Sequence, residues 1–87
     1  MVNDKIVNSI MDLEIISPEK TIYSGAAESV TLPGLSGSFT ILDRHAPIIS
    51  ALDKGVVKYN AGEKEEEITI NGGFVEAKKN KVSVCIE

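Results

Sequence analysis

The sequence predicts an all-β domain, a sandwich or a barrel. Apolar and polar residues alternate with a period of two over short stretches, and Gly, Pro and Asn punctuate the chain at about eight- to ten-residue spacing. Between Leu13 and Ile86 the longest stretch free of Gly and Pro, from Phe74 onward, alternates and carries no helical stripe. Nine short strands at this spacing point to a closed or two-layered β architecture.

The strands are expected near residues 12–16, 20–24, 27–32, 37–42, 47–52, 55–60, 65–70, 74–78 and 81–86. Ser17-Pro18-Glu19-Lys20 separates the first two, with Pro18 setting φ for a type I turn. Val30 and Leu32 alternate with Ser29 and Thr31, and Pro33-Gly34 with Gly37 brackets a sharp bend. Asp53-Lys54-Gly55 turns the chain before Val56. Gly62 to Glu67 is the only charge run and reads as a solvated turn and strand start that discourages edge pairing. Ile68 and Ile70 alternate with Glu67, Thr69 and Asn71. Asn71-Gly72 is the strongest hairpin pair, and a bulge at Gly73 turns Phe74 onto a different face from Ile70. Lys79-Asn80 closes a tight hairpin, because Asn tolerates positive φ, before Val82, Val84 and Ile86 resume the alternation.

Residues 1–11 lack this texture: Ile6, Ile10 and Leu13 have helical spacing, but the segment is short, uncapped and terminal. It is expected to be a poorly ordered extension, with the domain at 12–87. A chain of 87 residues forms one domain and buries about 63% of its unfolded surface, enough for one thin core and no cleft between lobes. Eleven Ile, eight Val and five Leu supply that core. A formal charge of −4 with a single Arg disfavours nucleic acid, which needs clustered cations. The lone Cys85 leaves no internal disulfide and fits a reducing compartment. No run approaches the roughly 18 apolar residues of a membrane span, and no signal-peptide pattern opens the chain.

The residues offer little to catalysis. His45 is the only histidine, Asp43 stands two positions before it, and none of Ser36, Ser38 or Ser50 lies in a G-x-S-x-G elbow. One His and one Cys forty residues apart fall short of a zinc site, and the Glu run lacks the Asp and Gly spacing of a calcium loop. The segment Gly34-Leu35-Ser36-Gly37-Ser38 has neither the Lys nor the helix start of a phosphate loop. The expectation is no catalytic, cofactor-binding or metal site. What stands out is Val30 to Leu52, two apolar strands around a turn-rich segment that carries the sole Arg and the sole His. Rigidly held loops of this kind present recognition residues, here near residues 34–46.

Val30-Thr31-Leu32-Pro33-Gly34, Gly37, Ile41-Leu42, His45-Ala46-Pro47-Ile48-Ile49, Leu52, Gly55, Gly72-Gly73-Phe74-Val75-Glu76 and Asn80-Lys81-Val82 occur in order. Leu13 to Pro18 and Ile22-Tyr23-Ser24-Gly25 precede them. In this order the chain resembles, from about residue 12 to residue 86, the N-terminal β-sandwich of the epsilon subunits of F-type ATP synthase. The resemblance implies an antiparallel β-sandwich of two roughly five-stranded sheets. It implies a noncatalytic rotor subunit of the central stalk, bound to the gamma subunit and the polar loops of the c-ring. Such a subunit couples ion flow to ATP synthesis from the cytoplasmic face of a bacterial plasma membrane, with no direct lipid binding. The alternative is a free-standing β-sandwich adaptor for another soluble protein.

Carried over by position, the partner interface comprises Ser38, Asp43, Arg44, His45, Ala46 and Pro47. Family members often have Pro-Gly where this chain has Asp43-Arg44, so a turn open to ordinary residues, such as type I, is expected here. Some carry an acid at the position of Ser38 that pairs with an arginine of the ring, and Asp43 is expected to take over that charge. Longer members continue into two helices that restrain hydrolysis and in some cases bind ATP. With Glu87 last in the sequence, neither self-inhibition nor ATP binding is expected.

Overall fold

A computed structural model describes residues 10–87. Its elements are nine strands in chain order: β1 (Met11–Ile16), β2 (Thr21–Ala27), β3 (Ser29–Gly34), β4 (Gly37–Leu42), β5 (Ile48–Leu52), β6 (Gly55–Ala61), β7 (Lys64–Ile70), β8 (Gly73–Lys78) and β9 (Lys81–Ile86). The expected strands are all present, most with ends shifted by one to three residues. β1 begins at Met11, which is 2% exposed, one residue before the expected domain start. The extension expected before it falls, over residues 1–9, outside the described residues.

Period-two alternation builds the core. Leu13 and Ile15 of β1, Val30 and Leu32 of β3, and Val82 and Val84 of β9 are buried, while their strand neighbours face outward. Each such side chain contributes about 1.5–3 kcal/mol on burial, and together they fill the space between two layers. Tyr23 and Tyr59 close one side, with ring centroids 4.7 Å apart and planes tilted by 42°.

The layers are β2-β1-β9-β8-β5 and β4-β3-β6-β7, five and four strands. The all-β sandwich of two roughly five-stranded sheets is the fold formed, and it differs from expectation in two respects. The pairing network is continuous, because β3 runs past its last partner on β6 (Thr31↔Lys58) and Gly34 meets Leu52 of β5. That is the one residue pair of ladder between the layers. Secondly, β1 and β9 pair in parallel, from Asp12↔Lys81 to Ile16↔Cys85. The whole domain serves as their crossover, so no short connection constrains their direction.

The turns follow local chemistry. Ser17 Oγ accepts from the amides of Glu19 and Lys20, both at 3.3 Å, so a hydroxyl helps close the Pro18 turn. Lys79 and Asn80 take φ of 50° and 60°, the pattern of a type I′ hairpin. Asn71-Gly72 differs from expectation. β7 pairs only with β6 and β8 only with β5 and β9, so this segment is no hairpin and instead carries the chain from one layer to the other. Gly72 and Gly73, at φ 152° and 149°, permit the change of direction, and a Cβ on Gly73 would collide with the carbonyl oxygen of Cys85. Phe74 does face away from Ile70, 51% against 2% exposed, but the expected bulge at Gly73 is not formed: Gly73 and Phe74 pair in unbroken register with Ile86 and Cys85, and the change of face comes from the crossing between layers.

Candidate functional site

The segment between β4 and β5 holds five of the six residues expected at an interface. Asp43 and Arg44 form a turn, and His45, Ala46 and Pro47 lead into β5. Arg44 has φ of 63°, a left-handed conformation that costs an L residue with a Cβ about 1–2 kcal/mol. The type I turn expected is therefore not the one formed: Arg44 takes the conformation a glycine adopts freely. Asn80 supports it. Its Oδ1 accepts the Arg44 amide at 3.1 Å, its Nδ2 donates to the carbonyl of Ile10 at 2.9 Å, and its own carbonyl accepts the Asp12 amide at 3.0 Å. One turn residue thus ties the β8–β9 hairpin to the start of β1 and to the 43–47 loop.

His45 Nδ1 lies 2.9 Å from the carbonyl of Ala46 and, since a carbonyl only accepts, carries the proton. Its Nε2 is buried with no partner among the described residues. This ring is a packed turn element with no acid or nucleophile engaged. Asp43 Oδ2 approaches Arg44 Nε at 3.8 Å, with side-chain exposures of 17% for Asp43 and 75% for Arg44. The charge that the loop offers to solvent is the arginine's.

Ser38 is not brought into this group. It pairs with Pro33 near the β3–β4 hairpin, at the opposite end of β4, roughly 17 Å away at the rise of an extended strand. Ser38 is exposed there, as is Leu35 at the hairpin tip.

The two outer faces differ. On the four-stranded layer, Thr31 and Thr40 hydroxyls share a 2.8 Å hydrogen bond and Lys58 meets Glu67 at 4.0 Å, so its outer face is mixed, with Leu42 and Val56 exposed among these polar groups. On the five-stranded layer, Ala51, Phe74, Cys85 and Ile16 are cross-strand neighbours in one row, with Ile49 beside them at 78% exposure. Large exposed apolar groups gathered on one face mark a contact surface. The sequence reading put Phe74 on a different face from Ile70, but only the pairing of non-consecutive strands aligns it with Ile16. Among the described residues no three His, Cys, Asp or Glu side chains converge as metal ligands, and no helix is long and apolar enough to cross a membrane.

Residues 10–87 match the family model described as ATP synthase, Delta/Epsilon chain, beta-sandwich domain. The ATP synthase epsilon chain of Leptospira borgpetersenii is 43% identical over 77 residues, 88% of this chain and 61% of that one. The epsilon chain of Desulfitobacterium hafniense is 44% identical over 75 residues, 86% of this chain and 57% of that one. The chain thus spans about 60% of the length of these curated relatives. Among solved structures, a chain of the Euglena gracilis mitochondrial ATP synthase (OSCP/F1/c-ring) superposes with a TM-score of 0.84 at 18% identity, covering 90% of this chain and 51% of that one. A chain of the Tetrahymena thermophila central stalk and c-ring gives 0.74 at 17% identity, covering 87% and 62%. At that identity the likeness concerns the fold; the sequence match extends further, and the chain belongs to the delta/epsilon β-sandwich family of ATP synthase.

Proposed function

We propose that the chain is a noncatalytic central-stalk subunit of an F-type ATP synthase, coupling ion flow through the c-ring to ATP synthesis by binding gamma and the ring. The observation that carries this reading is the family match over residues 10–87. The row of Ala51, Phe74, Cys85 and Ile16 with the exposed Ile49 supports it, since a continuous apolar row across four strands suits a domain seated by that face on a larger body. The row is the gamma-facing surface in this proposal. The 43–47 loop and the Ser38 hairpin are contact points at opposite ends, too far apart to grip one short loop together. The subunit is peripheral, on the cytoplasmic face of a bacterial plasma membrane, attached through other subunits.

The test is to mix the chain with its cognate gamma subunit and run size exclusion. A stable complex is expected. Absence of a complex, together with absence of this chain from the purified native synthase, favours the free-standing adaptor instead.

A further inference from the structure

We propose that Arg44 is the anchor of a protein contact whose opposing surface carries a carboxylate. This rests on the central-stalk reading and adds the chemistry of one partner contact. Arg44 occupies a left-handed position that a glycine would fill at no steric cost, and the Asn80 side chain holds its amide there. A loop secured from 36 residues away directs its side chain consistently.

The charge at the tip points the same way. The guanidinium is 75% exposed, and its one ion-pair partner among the described residues is Asp43, at 3.8 Å through Nε alone and itself largely covered. Lys79, exposed in the turn that Asn80 completes, adds a second cation to the same tip. A chain of formal charge −4 therefore presents a positive point here.

The local mix of charge separates a protein from a lipid surface. Anionic headgroups are held by clusters of about four to eight cations. Beside this tip the lysines alternate with acids: Lys78, Lys79 and Lys81 share a shallow depression with Asp12 and Glu76. With Arg44 the lysines reach four cations, but Asp12 and Glu76 among them leave a net charge of about +2, and a fixed guanidinium in such mixed charge suits the fork-to-fork geometry of a carboxylate instead.

The experiment measures binding of the chain to its cognate stalk complex, gamma with the c-ring purified without this chain, at low and raised salt. Arg44→Glu is expected to weaken binding by about tenfold or more, and Arg44→Gly by about fivefold. Salt should weaken the wild type but hardly Arg44→Gly. Because Gly suits the backbone at this position, a thermal melt at or above the wild-type midpoint shows that Arg44→Gly remains folded. Asn80→Gly keeps the hairpin but frees the loop, and a severalfold loss is expected with Arg44 intact. Wild-type affinity for Arg44→Glu, or an equal loss at both salt concentrations, overturns the proposal. So does binding to phosphatidylglycerol vesicles that requires Arg44, which would make lipid the occupant. If the wild type itself does not bind the stalk complex, the central-stalk reading falls, and this inference with it.

Discussion

The main-chain amide of Arg44 donates to the side-chain oxygen of Asn80 at 3.1 Å, and both residues have positive φ. A turn and a loop distant in sequence therefore hold each other in conformations that neither adopts easily alone. Asn80→Gly should cost about 1 kcal/mol, the value of the lost side-chain hydrogen bonds. Asn80→Ala should cost about 2, since alanine also bears the left-handed penalty. Urea denaturation of the two variants checks the order, and equal costs would show that the backbone conformation contributes nothing.

Arg44→Gly should leave the melting midpoint unchanged or slightly raised. Relief of about 1–2 kcal/mol of left-handed strain is offset by about 0.5–1 kcal/mol of added freedom in the unfolded chain. A fall of several degrees in a calorimetric scan would contradict this balance.

Gly73→Ala should cost more than about 3 kcal/mol, because the new Cβ would collide with the backbone of Cys85 in a paired strand. Gly62→Ala, at φ 74° with open space around it, should cost only about 1 kcal/mol. The difference between the two denaturation midpoints separates collision from dihedral preference.

Tyr59 links stability to alkaline pH. Burial, reinforced by the charge of Glu66 and by Tyr23, raises its pKa from the ordinary 10.0. The folded state thus holds the phenolic proton more tightly than the unfolded state does. Its contribution is fully present below pH 10 and is lost as pH rises through the higher folded-state value. Tyr59→Phe should flatten this part of the alkaline decline, measured as unfolding midpoints between pH 9 and 11, or about one unit either side of the unperturbed value.

Phe74→Ser should change folding stability by no more than about 1 kcal/mol, since the ring is half exposed, yet weaken co-purification with gamma. Normal co-purification would remove the Phe74 row from the proposed interface.

The legible features were those set by neighbours in sequence. Alternation marked Val82, Val84 and Ile86 as inward-facing, and the Lys79-Asn80 turn followed from the tolerance of Asn for positive φ. Distant pairing was not legible. Asn71-Gly72 is the same local signal whether the following strand returns beside its predecessor or crosses to the other layer, and the room beside Gly73 is set by β9. Likewise, nothing near Arg44 in sequence reveals that an amide oxygen 36 residues away stabilises its conformation. Turn chemistry located a presenting loop near residues 34–46 and the resemblance named its residues, while the separation of Ser38 from them follows from the length of β4.

The single Gly34↔Leu52 pair between the layers has a mechanical consequence. A ladder of hydrogen bonds would resist sliding of one layer over the other, but here that resistance comes from interdigitated side chains such as Leu32, Val57, Val75 and Val84. A load applied to the outer face of one layer crosses to the other through close-packed hydrocarbon of low compressibility. The domain thus behaves as a stiff pad under compression, and its shear stiffness is set by core volume, so a cavity made in the core would soften it even where the fold survives.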